Sequence, residues 1–271
     1  MRIFIPTRDR LQAQFTWSNI GPEARAYTTL VAPAEEVESH IRAGRNAIAR
    51  PPVPLAGVRQ WLVDEAVKRG LGNEPIIMLD DDLAFFVRKS PTAHNLRPAL
   101  SQEVLGIFSR LDELVRTRVV HAGLSPRQGN NWLFPDSIVY ATRMNAVHCI
   151  LPAALHHYGI RYDEVTMMED YHVTLSLFER GETNAQIADA AWDQCKGSGA
   201  PGGFSHYRTN ETQAAASHRL HALHPNSVKV VEKTPKTGAG GFSGTRTDVR
   251  VSWSATEKAG RGKATFIRGV K

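Results

Sequence analysis

A run of four apolar residues that ends in three consecutive aspartates limits the folds open to this chain more than any other feature. The run from Ile76 to Leu79 is continuous and apolar, which is typical of a central strand in a largely parallel sheet. It continues directly into Asp80, Asp81 and Asp82. Because open α/β sheets bind ligands at the carboxyl ends of their strands, the three carboxylates are predicted to lie at a ligand site.

Strand and helix patterns alternate over the first 120 residues, which favours an α/β fold. The predicted strands are Arg2–Ile5, Thr28–Ala32 and Ser137–Thr142, and the predicted helices are Ala34–Ala43, Val58–Arg69, Ser101–Val115 and Tyr171–Arg180. The composition is that of an ordinary globular protein, with 271 residues of which 42% are hydrophobic and 22% charged. A chain of this size buries enough surface to fold without a disulfide or a structural metal.

Several classes of protein are excluded by what the sequence lacks. No apolar run approaches the roughly 18–20 residues of a membrane span, and Pro6 and Arg8 interrupt the start too early for a secretory signal. Cys149 and Cys195 are far apart and neither belongs to a Cys-x-x-Cys pair, so a disulfide framework and a thiolate zinc site are not expected. Both are expected to be small buried residues, and this cysteine usage suits a reducing cytoplasm.

The positive charge is concentrated at the carboxyl end. The whole chain carries +6, whereas residues 226–271 hold ten Lys/Arg against three Asp/Glu, a net +7, which leaves −1 for residues 1–225. This segment is also rich in Gly, Ser and Thr, so we expect a catalytic domain over 1–225 and a flexible basic tail over 226–271. Such a tail either binds a polyanion, through the release of counterions, or only improves solubility.

The spacing of the aspartates suggests a metal. Asp80 and Asp82 point to the same side of an extended chain, and carboxylates are ligands that Mg²⁺ and Mn²⁺ prefer. Two like charges about 4 Å apart repel by roughly 4 kcal/mol at an effective dielectric of 20, so a cation between them would relieve a real cost. The alternative is a solvated acidic turn.

Two further elements carry candidate chemistry. Glu169 and Asp170 open the helix that ends before Gly181, where they either act on a substrate or stabilise the helix through its dipole. The glycine-rich loop over 197–208 ends with His206, a candidate metal ligand, and Arg208, a candidate phosphate partner. A lone loop histidine can also be merely solvated. His218, His221 and His224 recur at helical spacing and either bind a cation or form a surface stripe.

These elements, in this order, resemble a known family. A strand ending in Asp-x-Asp, a Glu-Asp-Tyr that opens a helix about ninety residues later and a subsequent loop histidine resemble the GT-A-fold glycosyltransferases. More narrowly, Ile3–Arg8, Val58–Trp61 and Ile77–Leu83 resemble the phage glycosyltransferases encoded beside TET/JBP-type base hydroxylases. The similarity spans residues 1–210.

The resemblance implies a fold and an activity. The fold is a GT-A-like, Rossmann-like sheet, mixed and mostly parallel, flanked by helices. The activity is the metal-dependent transfer of a sugar from a UDP-sugar to a 5-hydroxymethylpyrimidine, namely 5-hydroxymethylcytosine, in DNA, with Mn²⁺ or Mg²⁺ as cofactor. The expected partners are hydroxymethylated DNA and the nucleotide-sugar, without a membrane, in the cytoplasm of the phage's host.

The resemblance also implies roles for individual residues. The donor-binding residues it implies are Pro6, Thr7, Arg8, Gly57, Arg59, Asp80, Asp81 and Arg208. The metal ligands it implies are Asp80, Asp82 and His206. Glu169 and Asp170 face the acceptor, and Asp170 is the general base in inverting members. Gly57 is expected to form a turn before Arg59, although Arg59 could also be an exposed helix arginine.

Other readings of the same residues stay open. The same chemistry could act on a protein or a polysaccharide, and clustered acids with a basic tail also suit a two-metal nuclease or a non-catalytic nucleic-acid binder. No P-loop is present. If the acceptor is duplex DNA, the target base has to leave the stack. Trp132, Phe134 and Tyr140 either stack on that base or belong to the core.

Overall fold

The computed structural model of the chain describes residues 1–134, 137–195, 209–234 and 245–269. The strands are β1 (Ile3–Pro6), β2 (Thr28–Ala32), β3 (Ala47–Ala49), β4 (Ile76–Leu79), β5 (Leu83–Arg88), β6 (Leu96–Pro98), β7 (His121–Pro126), β8 (Ile138–Tyr140), β9 (Val147–Ile150), β10 (Asn184–Gln194), β11 (Val228–Lys233) and β12 (Arg246–Val251). The helices are α1 (Phe15–Asn19), α2 (Gly21–Arg25), α3 (Ala34–Arg42), α4 (Leu55–Lys68), α5 (Ser101–Thr117), α6 (Pro152–Tyr158), α7 (Glu169–Glu179), α8 (Asn210–Leu223) and α9 (Trp253–Gly260). Short 3₁₀ turns cover Asn130–Trp132 and Tyr162–Glu164.

A ten-stranded sheet forms the centre of the described structure, in the order β3-β2-β1-β4-β9-β7-β10-β5-β6, with β8 paired to β10. Strands β1 to β4 are mutually parallel, and β9 runs antiparallel to both β4 and β7. β10 is parallel to β7, and β6 follows the same direction because β5 is antiparallel to both β10 and β6. The expected mixed, mostly parallel sheet flanked by helices is therefore confirmed, and it agrees with the GT-A-like fold that the resemblance implied.

The core lies along the middle strands and the helices packed on them. Every residue of β4 and of β9 is buried, as the continuous apolar run of β4 predicts. Amphipathic α5 turns Ile107, Phe108 and Leu111 into the same core. Because β1 and β4 are adjacent and parallel, their carboxyl ends lie side by side, and this edge carries the Asp80–Asp82 turn.

The carboxyl-terminal segment is folded where the structure describes it, so the flexible tail expected over 226–271 is wrong for these residues. β11 and β12 form an antiparallel hairpin, and Val228 and Val249 join Val165, Leu175 and Leu220 in a second hydrophobic cluster. Regular alternation of valines within the basic segment gives the hairpin an apolar face to bury, which the overall composition concealed. Residues 235–244 and 270–271 lie outside the described residues. The division of the chain at residue 225 stays a prediction.

α9 packs closely against α7. A Cβ at Gly260 would lie 1.7 Å from the carbonyl oxygen of Phe178, so this contact requires glycine. Tyr171 and Trp253 add an edge-to-face ring contact with centroids 5.2 Å apart. The helix that opens with Glu169 and Asp170 is therefore supported by the carboxyl-terminal segment.

Two simpler expectations can be compared with the structure. Among the described residues, every helix is too short or too polar to span a bilayer. Cys149 is buried and Cys195 is partly buried, and both are free thiols, so the expectation of a small buried residue is confirmed for Cys149.

Candidate active site

The three aspartates occupy the turn between β4 and β5, and Thr16 of α1 holds this turn in place. The Thr16 hydroxyl donates to the carbonyl of Asp80 at 2.6 Å and accepts from the amide of Leu83 at 2.8 Å. The Thr16 amide donates to the carbonyl of Asp81 at 3.2 Å. Because Thr16 is hydrogen-bonded to both ends of the turn, the backbone that carries the three aspartate side chains is held in place.

Asp81 points inward and joins the turn to the loop after β1. Thr7 Oγ1 donates to Asp81 Oδ2 at 2.8 Å, and Arg10 Nη1 lies 3.0 Å from Asp81 Oδ1. Gln14 Nε2 in turn donates to Thr7 Oγ1 at 2.8 Å. Burial raises the pKa of Asp81 to about 7, although Arg10 and the Thr7 hydrogen bond both lower it. Thr7 and Asp81, which the resemblance places at the donor, thus bind each other.

Arg59 links the aspartate turn to the acidic pair of α7. Its Nη2 lies 2.6 Å from Asp80 Oδ1 and its Nη1 lies 2.7 Å from Glu169 Oε1, so one guanidinium bridges residues 89 positions apart. The Arg59 side chain is only 4% exposed. Burial lowers the pKa of Arg59, but Glu169 and Asp80 raise it by more, and Arg59 stays charged.

The surroundings of Arg59 correct two expectations. Gly57 lies in the first turn of helix α4 and does not form a separate turn before Arg59. A Cβ there would meet Val53 Cγ2 at 2.8 Å, so the glycine allows the preceding loop to pack closely. The alternative of an exposed Arg59 is also wrong, because α4 turns this face towards the interior.

Glu169 and Asp170 differ in environment although they are neighbours. Glu169 is buried, and burial raises its pKa while Arg59 lowers it. The cap residue of α7, Met168, makes no side-chain cap hydrogen bond, and both acids lie in the first turn, where the helix dipole favours them. Asp170 Oδ2 lies 3.7 Å from Arg143 Nη2, and the Arg143 guanidinium lies 4.4 Å from the centre of the Tyr171 ring.

The carboxylate oxygens of the expected metal ligands Asp80 and Asp82 suit a divalent ion. Arg10 Nη1 lies 3.9 Å from Asp82 Oδ2, so Asp80 and Asp82 are each held by a neighbouring arginine at the rim of the turn. Within the described ranges no three His, Cys, Asp or Glu side chains cluster to hold a metal. Mg²⁺ is usually held by one or two carboxylates together with substrate phosphates and water, which two aspartates can supply. His206 and Arg208 lie outside the described residues.

The loop after β1 contributes an exposed cation. Arg8 Nε lies 3.3 Å from Asp9 Oδ2, and the Arg8 side chain is 43% exposed. Two hydrogen bonds from the Asp9 amide to the Glu36 carboxylate, at 3.0 and 3.2 Å, hold the loop against α3. Pro6 ends β1 immediately before this loop.

Strained backbone surrounds the same residues. Asp9, Ala146 and Met168 adopt left-handed conformations with φ of 56°, 54° and 61°, although none is glycine. Met168 precedes Glu169, and the carbonyl of Ala146 accepts the amide of Asp80 at 2.9 Å. Such conformations each cost of order 1–3 kcal/mol and cluster at functional sites, so they agree with a site at this position.

Two arginines of the site were not predicted from the sequence. The only signal for Arg10 was the general need of the aspartate triplet for a counter-ion. Arg143 lies between predicted elements and carries no motif at all. The structure thus brings Asp80, Glu169 and Asp170 together from β4 and α7, with Arg59 between them.

The histidines at helical spacing do not form a stripe. His224 is buried at the end of α8, where its Nε2 lies 2.9 Å from His172 Nδ1 and its Nδ1 lies 2.9 Å from Glu179 Oε1. His221 Nδ1 donates instead to the carbonyl of Val228 at 2.7 Å. The expectation of a shared exposed face is wrong, because α8 turns His224 towards α7.

Comparison with known proteins identifies the family. The sequence model of TAGT, the TET-Associated Glycosyltransferase family, matches residues 1–203. The chain belongs to this family. That range includes the loop after β1, α4, the aspartate turn and α7, so every described residue of the candidate site falls within the TAGT match. No curated protein matches the chain in sequence.

Solved structures give looser similarities. Mannose-1-phosphate geranyltransferase from Thermus thermophilus is 13% identical, covers 71% of this chain and 75% of its own, and has a TM-score of 0.41. CMP:2-keto-3-deoxy-manno-octonic acid synthetase complexed with CTP is 13% identical, with 69% and 88% covered and a TM-score of 0.41. GalNAc-T7 with UDP, GalNAc and Mn²⁺ is 10% identical, with 74% and 45% covered and a TM-score of 0.41. Similarities of this size indicate nothing about the reaction.

Proposed function

We propose that this glycosyltransferase moves a sugar from a UDP-sugar to the hydroxyl of a 5-hydroxymethylpyrimidine, specifically 5-hydroxymethylcytosine, in DNA, with Mn²⁺ or Mg²⁺. The observation that carries the proposal is the membership of the TET-Associated Glycosyltransferase family over residues 1–203, because a TET-type hydroxylase makes the hydroxyl that such an enzyme would use. The buried Asp80–Arg59–Glu169 bridge lies within that range and supports a reaction centre there.

Asp170 is the general base in this proposal. It takes the proton of the acceptor hydroxyl while the acceptor oxygen forms a bond to the anomeric carbon of the sugar. The bond from that carbon to the donor phosphate oxygen breaks, and its electron pair leaves with the nucleoside diphosphate. Glu169 is already bound by Arg59 at 2.7 Å and therefore orients α7, whereas the ion pair of Asp170 within the described part of the chain is the longer 3.7 Å contact with Arg143.

The donor occupies the loop after β1 and the aspartate turn. Pro6, Thr7 and Arg8 surround the base and ribose, and the half-exposed Arg8 offers a cation to the donor. The buried Thr7–Asp81 hydrogen bond keeps this loop and the turn in register before the donor arrives. Arg59 acts on the donor side by fixing Asp80.

Asp80 and Asp82 would hold the divalent ion, with His206 as a third ligand. When bound, such an ion neutralises the charge that develops on the leaving diphosphate. Arg208 would contact the same diphosphate. Arg59 lies 2.6 Å from Asp80 and Arg10 lies 3.9 Å from Asp82, so each of these carboxylates already has a cationic neighbour that a metal ion would join.

The folded hairpin supplies a candidate contact for DNA phosphates in place of a mobile tail. Lys229 and Arg250 lie directly opposite each other in the β11–β12 register, and both are exposed. Like charges in this position destabilise a hairpin, and a phosphate between them would remove that cost.

A transfer assay tests the proposal. Hydroxymethylated DNA, the same DNA with unmodified cytosine, and a panel of UDP-sugars are incubated with the protein, and the nucleosides are analysed by mass spectrometry. We expect a hexose adduct on hydroxymethylated DNA alone, loss of transfer in EDTA, and recovery with Mn²⁺ or Mg²⁺. Asp170→Asn is expected to slow transfer about 10²- to 10⁴-fold.

The control is Asp163→Asn, which removes an acid outside the site, between α6 and α7. It is expected to leave the transfer rate unchanged. Sugar transfer to a protein or a polysaccharide, and never to hydroxymethylated DNA, would refute the acceptor. Full activity in chelator would refute the metal.

A further inference from the structure

A cleft lies at the opposite end of β5 from the aspartate turn. It is lined by Lys89, His94, Asn95, Leu96 and Arg127 and encloses about 420 Å³. β5 spans six residues, which at about 3.3 Å per residue places Lys89, just beyond its end, roughly 20 Å from Asp82, whereas Arg127 lies against Phe86 in the middle of β5. Its volume falls in the range of small-molecule and nucleotide sites. The reaction proposed above leaves this cleft without a use.

Two large aromatic side chains project into solvent in the segment that follows Asn130. Trp132 is 85% exposed and Phe134 is 76% exposed, so the alternative that they belong to the core is wrong. Tyr140 is half-exposed. Exposed rings of this size, two positions apart in the chain, are characteristic of a binding surface because water solvates them poorly.

The buried guanidinium of Arg88 connects the cleft to the chain segment that carries Trp132 and Phe134. Its Nη1 donates to the carbonyl of His94 in the cleft wall, and its Nη2 donates to the carbonyl of Asn130 at 3.0 Å and to that of Ala188 at 2.9 Å. The 3₁₀ turn that begins at Asn130 carries Trp132. The cleft wall and the turn that carries Trp132 are therefore held by the same guanidinium.

Arg127, another residue of the cleft wall, is also held by its neighbours. Its amide donates to the carbonyl of Trp192 at 2.7 Å, and its guanidinium lies 4.2 Å from the centre of the Phe86 ring. A 3.2 Å contact with Asp193 completes its surroundings. Arg127 thus lines the cleft and precedes the segment that carries Trp132 and Phe134. Its backbone is hydrogen-bonded to β10.

We propose that this cleft and the rings of Trp132 and Phe134, together named the cleft–aromatic surface, bind the acceptor DNA strand several nucleotides away from the one that is modified. Phosphates contact Lys89 and Arg127, and unstacked bases lie on the two rings. Lys89 forms no ion pair within the described part of the chain and is available to a phosphate. The inference rests on the proposed function, since it supposes that DNA is the acceptor.

The geometry favours a nucleic acid over a lipid surface. A cleft with cations in its wall and rings at its edge suits a strand that presents charge and π-faces alternately. A bilayer would instead require an apolar face that enters the interface as a whole. The separation of roughly 20 Å equals about six base-pair steps of 3.4 Å, so one strand can occupy both the reaction centre and the surface.

Fluorescence anisotropy with a labelled oligonucleotide tests the surface. The oligonucleotide is used with and without 5-hydroxymethylcytosine, and UDP binding is measured separately by calorimetry. For Trp132→Ala combined with Phe134→Ala, we expect DNA affinity to fall about tenfold or more while UDP affinity is unchanged. Lys89→Ala is expected to reduce the slope of log affinity against log salt by about 0.7–0.9, one phosphate contact.

The matched controls are Tyr27→Ala, another exposed aromatic residue, and Lys68→Ala, another exposed lysine. Neither is expected to change DNA affinity. Unchanged affinity in the aromatic variant, or an equal loss in the controls, would overturn the inference. The inference would also be overturned if the Trp132→Ala and Phe134→Ala variant lost binding to anionic phosphatidylglycerol vesicles but kept its DNA affinity. DNA binding that depends on these residues without any sugar transfer would support the surface and refute the proposed function.

Discussion

At the scale of single residues, Arg59 decides the geometry of the acid cluster. Its guanidinium contacts both Asp80, at 2.6 Å, and Glu169, at 2.7 Å. Without it, Glu169 would be a carboxylate in a buried position with no counter-ion, and burial of an unpaired charge is costly. The same loss would free Asp80, a residue proposed to hold the metal.

Arg59→Ala is therefore expected to lower the free energy of unfolding by about 3–5 kcal/mol, because it breaks a buried ion pair and leaves a charge behind. Arg59→Lys is expected to fall between this variant and the wild type, because an ammonium group cannot reach both carboxylates in a fork. Urea unfolding measures both.

Arg69→Ala serves as the control, since Arg69 follows α4 and pairs with Glu65 at the surface. Exposed pairs contribute at most about 1 kcal/mol. An equal effect of the Arg59 and Arg69 substitutions would contradict the role assigned to Arg59.

At the scale of secondary-structure elements, the carboxyl-terminal hairpin and α9 support the helix that carries two residues of the candidate site. They pack on α7 and α8, and α7 begins with Glu169 and Asp170. A segment that composition describes as a basic tail thus reaches the site through one helix. Its contribution to stability distinguishes a folded element from a mobile one.

Val228→Ala is expected to cost about 2 kcal/mol of stability, because it removes two methyl groups from the second hydrophobic cluster and leaves a cavity. Thermal unfolding of the full chain measures the loss. Lys229→Ala, at the next and exposed position of β11, is expected not to lower the melting temperature, because it removes only a like-charge contact with Arg250. If Val228→Ala were equally silent, the hairpin would not be docked.

At the scale of the whole molecule, buried neutral histidines make stability depend on pH. His121, His148 and His172 are buried, and burial lowers the pKa of His121 and of His172 to about 3 and that of His148 well below its ordinary value. His121 and His148 lie against each other, with Nε2 and Nδ1 3.3 Å apart. The unfolded chain protonates these rings below about pH 6.5, whereas the folded protein does not.

Unfolding therefore takes up protons between about pH 6.5 and pH 3, and stability falls as the pH falls through that window. Each such residue is expected to cost about 1.4 kcal/mol between pH 7.5 and pH 5.5. His172→Gln is expected to reduce the acid sensitivity by that amount, as measured by urea unfolding at the two pH values. His218→Gln, an exposed histidine on α8, is the control and is expected to have no effect. An unchanged pH dependence in His172→Gln would contradict this account.

The local patterns of the sequence determined much of the framework. The strands β1, β2 and β4, the helices α3, α4, α5 and α7, and the position of the acids at a strand end and a helix start follow from the spacing of apolar residues and stop signals. β5, β7, β9 and β10 were not predicted, because their pairing depends on partners far along the chain.

Only the tertiary structure decided which charges meet and which apolar residues are covered. Arg59 bridges Asp80 and Glu169, the latter 110 residues away, and no local pattern encodes a pairing at that distance. Burial is also a property of the surroundings, which is why Val228 is buried in a segment of polar composition while Trp132 remains in solvent. Residue spacing determines what one element can present, and the packing of the other elements determines what it contacts.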